Sequence, residues 1–230
     1  MSLVVYKLRF KPPNKTSTIS KNVEHIHYIG TRTGVYLNEN SNHGLFGHIY
    51  SIPDIRNQEN ISTIEKYVEQ KCKDRTTIFR STVSLRENDA LQLGLRTSED
   101  WERMIKERID FISDRLGIEK SNIEWVASYH AEKGHPHIHI CCWDKSEQIQ
   151  TNYIKDIDKL ANNIRVDFIN DLFSYEKQQL YEKKQENQNT IINSDILKDL
   201  KDIVDNINNT ESLYKERDLC SPLLLSLIHI

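Results

Sequence analysis

Ile123-Glu-Trp-Val-Ala-Ser-Tyr-His130-Ala-Glu-Lys-Gly-His135-Pro-His137-Ile-His139-Ile-Cys-Cys-Trp143 is the stretch from which the fold can be built outward. Two apolar runs, Asn122–Tyr129 and Pro136–Trp143, flank a short polar segment, Ala131–Gly134, of the length that joins antiparallel strands. Side chains two apart on a strand share a face. His137 and His139 therefore project together, and Ile138 turns to the opposite, core face. Four of the nine histidines fall in the ten residues from His130 to His139. A lone histidine is usually a satisfied structural residue or an exposed polar one, and a His-x-His pair arises by chance. Four histidines with a Pro and a Glu between two strand-like runs are harder to explain by packing. Neutral imidazole is the commonest transition-metal ligand. Two imidazoles on one face and a third delivered across the loop would make a three-histidine site with positions left for water or substrate. Cys141 has the same parity, and a packed core cysteine is its ordinary reading.

Working outward, Leu3–Phe10 alternates like a strand, and Lys11-Pro-Pro-Asn14 breaks it. The polar stretch to Ser20 reads as a mobile loop. A short helix fits Lys21–Ile29, with Val23, Ile26 and Ile29 as its apolar stripe and Gly30 as its stop. Tyr28 falls nearly opposite that stripe by the 100° step of a helix, so it is a candidate for something other than packing. Gly30 to Gly47 is rich in loop signals. Ser62-Thr-Ile-Glu65 reads as a capping box for a helix to about Lys73. Thr76–Leu85 reads as a second strand. Thr97-Ser-Glu-Asp100 caps a helix with Trp101, Met104, Ile105, Ile112 and Leu116 inside and Gly117 at its end. Thr151 to about Gln185 reads as one long helical run through Ile154, Ile157, Leu160, Ile164 and Phe168. Ile196, Leu197, Leu200, Ile203, Val204 and Ile207 mark a further helix. These elements predict an α+β fold, with a core over residues 1–150 and a helical region over 151–219.

The composition, 37% hydrophobic and 28% charged over 230 residues, is that of a globular chain with one sizeable core. Nothing near 18 consecutive apolar residues appears, and the N-terminus lacks a basic-then-apolar leader. Cys72, Cys141, Cys142 and Cys220 form no CxxC motif and read as reduced, in a cytoplasmic protein. The net charge of −3 argues mildly against a nucleic-acid binder, but its distribution does not. Residues 1–36 carry Lys7, Arg9, Lys11, Lys15, Lys21 and Arg32 against Glu24 alone, and local clusters make the field that phosphates feel. A solvated basic face is the competing reading of that block. The ending Ser221-Pro-Leu-Leu-Leu-Ser-Leu-Ile-His-Ile230 turns abruptly apolar and resembles translated sequencing-adapter sequence. Residues 220–230 are thus expected to be a non-native tail on an N-terminal fragment.

The segment His130-Ala-Glu-Lys-Gly-His-Pro-His-Ile-His139 resembles the histidine motif of HUH endonucleases, and in particular of Mob-type (MobP-like) conjugative relaxases. In that motif a first His is followed seven and nine positions later by a His-hydrophobic-His pair. The resemblance implies that His130, His137 and His139 are metal ligands. It makes His135 an alternative ligand or DNA contact, and Glu132 a carboxylate that orients a ligand imidazole. Glu24-His-Ile-His-Tyr28-Ile-Gly-Thr-Arg32-Thr-Gly34 resembles the relaxase segment that carries the catalytic tyrosine. Tyr28 is the match; Tyr6, in an apolar strand, and Tyr36, in a loop, are weaker candidates. The resemblance covers roughly residues 1–185. It is strongest at the histidines and weakest between the two motifs.

What the resemblance implies is a relaxase that nicks one strand of DNA at a transfer origin during plasmid or mobile-element mobilisation. Tyr28 would attack phosphorus to leave a 5′-phosphotyrosine and a free 3′-OH. A divalent ion, Mg or Mn by family analogy and Zn or Ni by ligand type, would polarise the phosphate. Lys21 and Arg32 are candidate phosphate contacts, and His25 or His27 could assist deprotonation. The implied partners are single-stranded DNA, accessory proteins and a coupling protein. The implied fold is an antiparallel sheet of about five strands with the histidine strand central. The resemblance makes residues 1–150 the catalytic core and 151–219 a part that completes or clasps it. Rival readings are a replication initiator or transposase of the same superfamily, a DNA-binding remnant without activity, and a metal-dependent hydrolase without a covalent tyrosine. An early tyrosine, far before the histidines, favours the relaxase.

Overall fold

A computed structural model describes residues 4–13, 15, 17–151, 153–192 and 198–208. In chain order the elements are β1 (Val4–Phe10), α1 (Ser17–Thr31), β2 (Leu45–His48), α2 (Ser62–Lys73), β3 (Phe79–Leu85), α3 (Glu87–Gln92), α4 (Ser98–Leu116), β4 (Ile123–His130), β5 (His137–Asp144), α5 (Ile157–Leu172) and α6 (Ser174–Ile192). The five strands make one sheet in the order β1-β3-β5-β4-β2, antiparallel at every pairing. The fold is α+β, as expected, and β5 is the central strand.

The pleat of the sheet assigns its two faces. Tyr6, Leu8, Val83, Ile138, Ile140, Trp125 and Ala127 point to one side, where Trp101, Ile105 and Ile112 of α4 and Ile164 and Phe168 of α5 close the larger core. Val126, Cys141 and Trp143 point to the other side. There Ile26 and Ile29 of α1 and Ile64 and Val68 of α2 form a second, smaller core. Each strand of the hairpin therefore has both faces covered at its middle. β4 is buried along its whole length, so its sequence reads as continuous rather than alternating.

Several sequence readings change. The helix expected over Lys21–Ile29 starts at Ser17, so Ser17–Ser20 are helical, and Thr18 Oγ1 donates to Pro12 O at 2.8 Å. Its buried stripe is Thr18, Asn22, Ile26 and Ile29; Val23 is only half-buried. Gly30 does not stop the helix but lets it press on its neighbours. A Cβ there would stand 2.6 Å from Ile61 Cδ1 and 3.0 Å from Leu45 Cγ. The capping box at Ser62 does not form. α2 has Ile61 at its N-cap with no side-chain cap, and Asn60 Oδ1 accepts from the Ser62 N–H instead. The Thr97–Asp100 box and the left-handed Gly117 stop do form. β2 and α3 went unread: β2 is a four-residue edge strand set by pairing with β4, and α3 is a turn and a half.

The long helical run expected from Thr151 breaks at Phe173 into α5 and α6. The chain divides there into two units, one ending at Phe173 and one beginning at Ser174. α5 belongs to the first unit and contributes Ala161, Ile164, Phe168 and Leu172 to its larger core. On α6, Tyr175, Leu180 and Tyr181 are exposed, and residues 198–208 form a helix whose Leu200, Ile203, Val204 and Ile207 are exposed. Ile196, Leu197 and residues 220–230 lie outside the described residues. Among the described residues no helix is long and apolar enough to cross a membrane.

Candidate functional site

The β4–β5 hairpin brings three histidines together by register alone. His130, the last residue of β4, pairs directly with His137, the first of β5, and His139 follows two residues on, opposite Ser128. Directly opposed side chains share a face. Ring centroids are 5.1 Å apart for His130 and His137, 4.7 Å for His130 and His139, and 5.1 Å for His137 and His139. One nitrogen from each ring lies within 4.8 Å of the other two, the spacing of a set that could hold a metal ion.

The remaining ring nitrogens are each held from outside. His130 Nε2 donates to the Ile29 carbonyl at 3.1 Å, and His137 Nδ1 to the His135 carbonyl at 3.2 Å. A carbonyl only accepts, so these bonds fix the tautomers and leave lone pairs on His130 Nδ1 and His137 Nε2. His139 Nδ1 lies 3.1 Å from Thr82 Oγ1, across the β3–β5 pairing. His130 Nδ1 and His139 Nε2 are buried with no partner. Such atoms cost stability unless something fills the space between them, and three imidazoles with restrained outer nitrogens suit a divalent transition metal. Burial lowers the pKa of His130 to about 4 and that of His139 to about 3, the latter helped by the neighbouring histidines. Burial also lowers His137. All three rings are neutral and ligand-competent at pH 7.

α1 lies against this cluster and supplies the Ile29 carbonyl. The same helix presents Tyr28, half exposed, on the side away from its own core stripe. His25 stands between the two: its ring centroid is 6.4 Å from Tyr28 and 6.2 Å from His139. Burial, and then the Arg80 charge, lower the His25 pKa to about 4. His27 is turned away, its Nδ1 2.8 Å from Glu65 Oε1 on α2, so of the two candidate helpers only His25 stands beside Tyr28. Arg32 donates from Nη1 to Tyr28 Oη at 2.8 Å. Glu132 Oε2 is 3.7 Å from His137 Nδ1 and 3.9 Å from Arg32 Nη2. His135 is exposed and outside the three-nitrogen cluster. Lys21 is exposed, and its carbonyl, not its ammonium, is engaged, accepting from Arg80 Nη2 at 2.6 Å. Tyr6 is buried in the larger core and Tyr36 is exposed on the loop after α1.

From His139 a groove of about 710 Å³ runs across the uncovered end of this face, lined by Lys7, Arg9, Lys11 and Arg80 together with His25 and Thr82. Its strand register is explicit. Lys7 pairs with Thr82, which pairs with His139, and Arg9 pairs with Arg80 in the next row. Lys7 is therefore two strand spacings, about 10 Å, from the histidine cluster. Asp158, at the start of α5, is the one carboxylate among the described lining residues. Sequence reading found the basic N-terminal block but not Arg80, which becomes part of the groove only through the β1–β3 pairing. Comparison of the chain with protein-family models, curated proteins and solved structures gives no match.

Proposed function

We propose that this chain is a metal-assisted DNA strand transferase of the relaxase kind, which nicks one strand of DNA at a transfer origin through Tyr28. The observation that carries this reading is the juxtaposition of three neutral, restrained imidazoles, an adjacent exposed tyrosine and a groove lined by four cations. His130, His137 and His139 would hold the ion, and their all-nitrogen donor set favours Mn²⁺ or Zn²⁺ over Mg²⁺. When bound, such an ion would act as a Lewis acid on a phosphate oxygen. Tyr28 Oη bonds to phosphorus as the bond to the 3′ oxygen breaks. The proton lost by the phenol is matched by the one gained at the 3′ oxygen, and the phosphodiester energy is kept for rejoining. His25 is the imidazole that stands beside Tyr28, but with a pKa of about 4 it is a weak acceptor for the phenolic proton, whose release the field of the bound ion would assist.

The groove cations suit a single strand laid across β1 and β3. Reversing two of them, in a Lys7→Glu, Arg9→Glu double variant, should make log K against log salt for single-stranded DNA shallower by about 1.4. Both side chains are exposed, so the fold should be unaffected. An unchanged slope, measured by fluorescence anisotropy between low and moderate salt, would place the DNA elsewhere.

The central test incubates the chain and Mn²⁺ with a random pool of labelled single-stranded DNA and looks for an SDS-stable adduct, beside Tyr28→Phe. An adduct present in the wild type and absent from Tyr28→Phe is the expected result. Cleavage that survives in Tyr28→Phe would favour a hydrolase. DNA binding with neither adduct nor cleavage would favour a binding remnant.

A further inference from the structure

The family resemblance makes Arg32 a candidate phosphate contact, yet its guanidinium is already occupied. Nη1 donates to Tyr28 Oη at 2.8 Å, Cζ lies 5.2 Å from the Tyr28 ring centroid, and Nη2 lies 3.9 Å from Glu132 Oε2. Tyr28 is half exposed, whereas the Arg32 side chain is 27% exposed. The more enclosed of the two thus holds the more open one. Tyr28 lies three residues after His25 and four before Arg32, spacings that stack side chains on one side of a helix. His25 is against the ring and Arg32 is on the oxygen.

We propose that Arg32 is a positioning residue that fixes the Tyr28 phenol beside the histidine cluster and is itself steadied by Glu132 on the β4–β5 loop. The proposal rests on Tyr28 being the nucleophile. A surface tyrosine with no partner samples several staggered rotamers, and only a narrow range of them aims Oη at a phosphate beside the histidines. A guanidinium suits this task because its planar fork can engage the phenol oxygen and a carboxylate from one fixed geometry. An ammonium carries the same charge without that fork. Because Tyr28 Oη accepts the Arg32 hydrogen bond, its own O–H remains free to give up its proton. Glu132, which the family resemblance makes an orienting carboxylate for a histidine, then also ties the end of α1 to the hairpin that carries the imidazoles.

Two measurements on the full chain test this. The first uses tyrosine labelled with ¹³C at Cζ, in the absence of metal and DNA, with the Tyr28 resonance assigned from Tyr28→Phe. Arg32→Gln should shift and narrow that resonance, and Arg32→Lys should only partly preserve it. An unchanged resonance in Arg32→Gln overturns the proposal. The second uses the random single-stranded DNA pool with Mn²⁺ and separates rate from affinity. Arg32→Gln should lower the rate of adduct formation at saturating DNA on the order of 100-fold, while affinity for the pool changes by less than about fivefold. Arg32→Lys should restore the affinity and not the rate. A loss confined to affinity, with the rate intact, makes Arg32 an ordinary phosphate contact and overturns the proposal. A wild-type chain that binds Mn²⁺ and DNA yet forms no adduct overturns the nucleophile reading itself, whatever the resonance does.

Discussion

Replacing His139 with phenylalanine should abolish the binding of one Mn²⁺ or Zn²⁺ per chain and leave the metal-free protein about as stable as the wild type. His139 Nε2 and His130 Nδ1 are buried without partners, and each such atom costs roughly 1–3 kcal/mol. Phenylalanine is a somewhat larger ring and gives up the Nδ1 contact with Thr82 Oγ1, but it removes the unpartnered polar atom, so loss and gain roughly offset. The metal-dependent part of stability should vanish. For the wild type at a hundredfold excess of ion over its dissociation constant it is about 2.7 kcal/mol, or about 5–10 °C in Tm for a chain of this size. Calorimetric titration and thermal melts of both chains check the pair of statements. Metal binding retained at wild-type affinity would remove the histidine cluster as the site.

The pH dependence follows from the same burial. An unfolded histidine titrates near 6.5, whereas folding lowers His130 to about 4 and His139 to about 3. Between these limits the unfolded chain binds protons that the native chain does not. The histidine contribution to metal-free stability is therefore constant above pH 6.5 and is lost as the pH drops through that window. Because protons compete weakly for these rings, metal affinity should hold to lower pH than for an ordinary histidine set. His139→Phe removes one such group, so its metal-free stability should decline less steeply with acid than that of the wild type.

The histidine cluster was readable because every step that makes it is local. A two-residue parity places His137 beside His139, and a short loop places His130 opposite them. Tyr28 was readable as an outlier on its helix, although the stripe that excluded it was partly wrong: Val23 is half-buried, and Asn22 and Thr18 take its place. What could not be read depends on pairing between distant segments. Arg80 enters the groove because β1 lies beside β3, and Asn22 is buried because it accepts from that same arginine. β2 is four residues long, carries Gly47 with φ at 143°, and gains its strand character only from the edge of β4. The break at Phe173 left no trace in a run whose helical propensity continues on both sides. The false capping box at Ser62 shows the converse, since a correct local motif was displaced when Asn60 capped the Ser62 N–H first.

Glu124→Ala should be strongly destabilising, by about 3–5 kcal/mol. The carboxylate is 1% exposed and without a cationic partner among its hydrogen bonds. Oε2 accepts from Tyr67 Oη at 2.7 Å and from Trp143 Nε1 at 2.9 Å, and Oε1 accepts from the Tyr50 N–H at 2.9 Å. Alanine leaves the indole, the phenol and an amide without an acceptor and opens a cavity beside Trp143. A loss of that size is a large share of the 5–15 kcal/mol that typically holds a domain together. Glu124→Gln is the sharper probe. Its single carbonyl oxygen can replace Oε2 or Oε1 but not both, so an amide NH₂ must face another donor, at a cost of roughly 1–3 kcal/mol. Burial and the Glu124 contact raise the pKa of Tyr67, which stays protonated and keeps donating. Tyr67→Phe alone should cost less, since the carboxylate retains two donors. The Glu124→Gln, Tyr67→Phe double variant should cost less than the sum of the two, because they share one hydrogen bond. Urea denaturation at constant slope measures all four chains. A Glu124→Ala loss below about 1 kcal/mol would mean that water enters and satisfies the three donors. Metal affinity per folded chain should be unchanged throughout, since Glu124 touches none of the histidines and acts at the far end of β4 from His130.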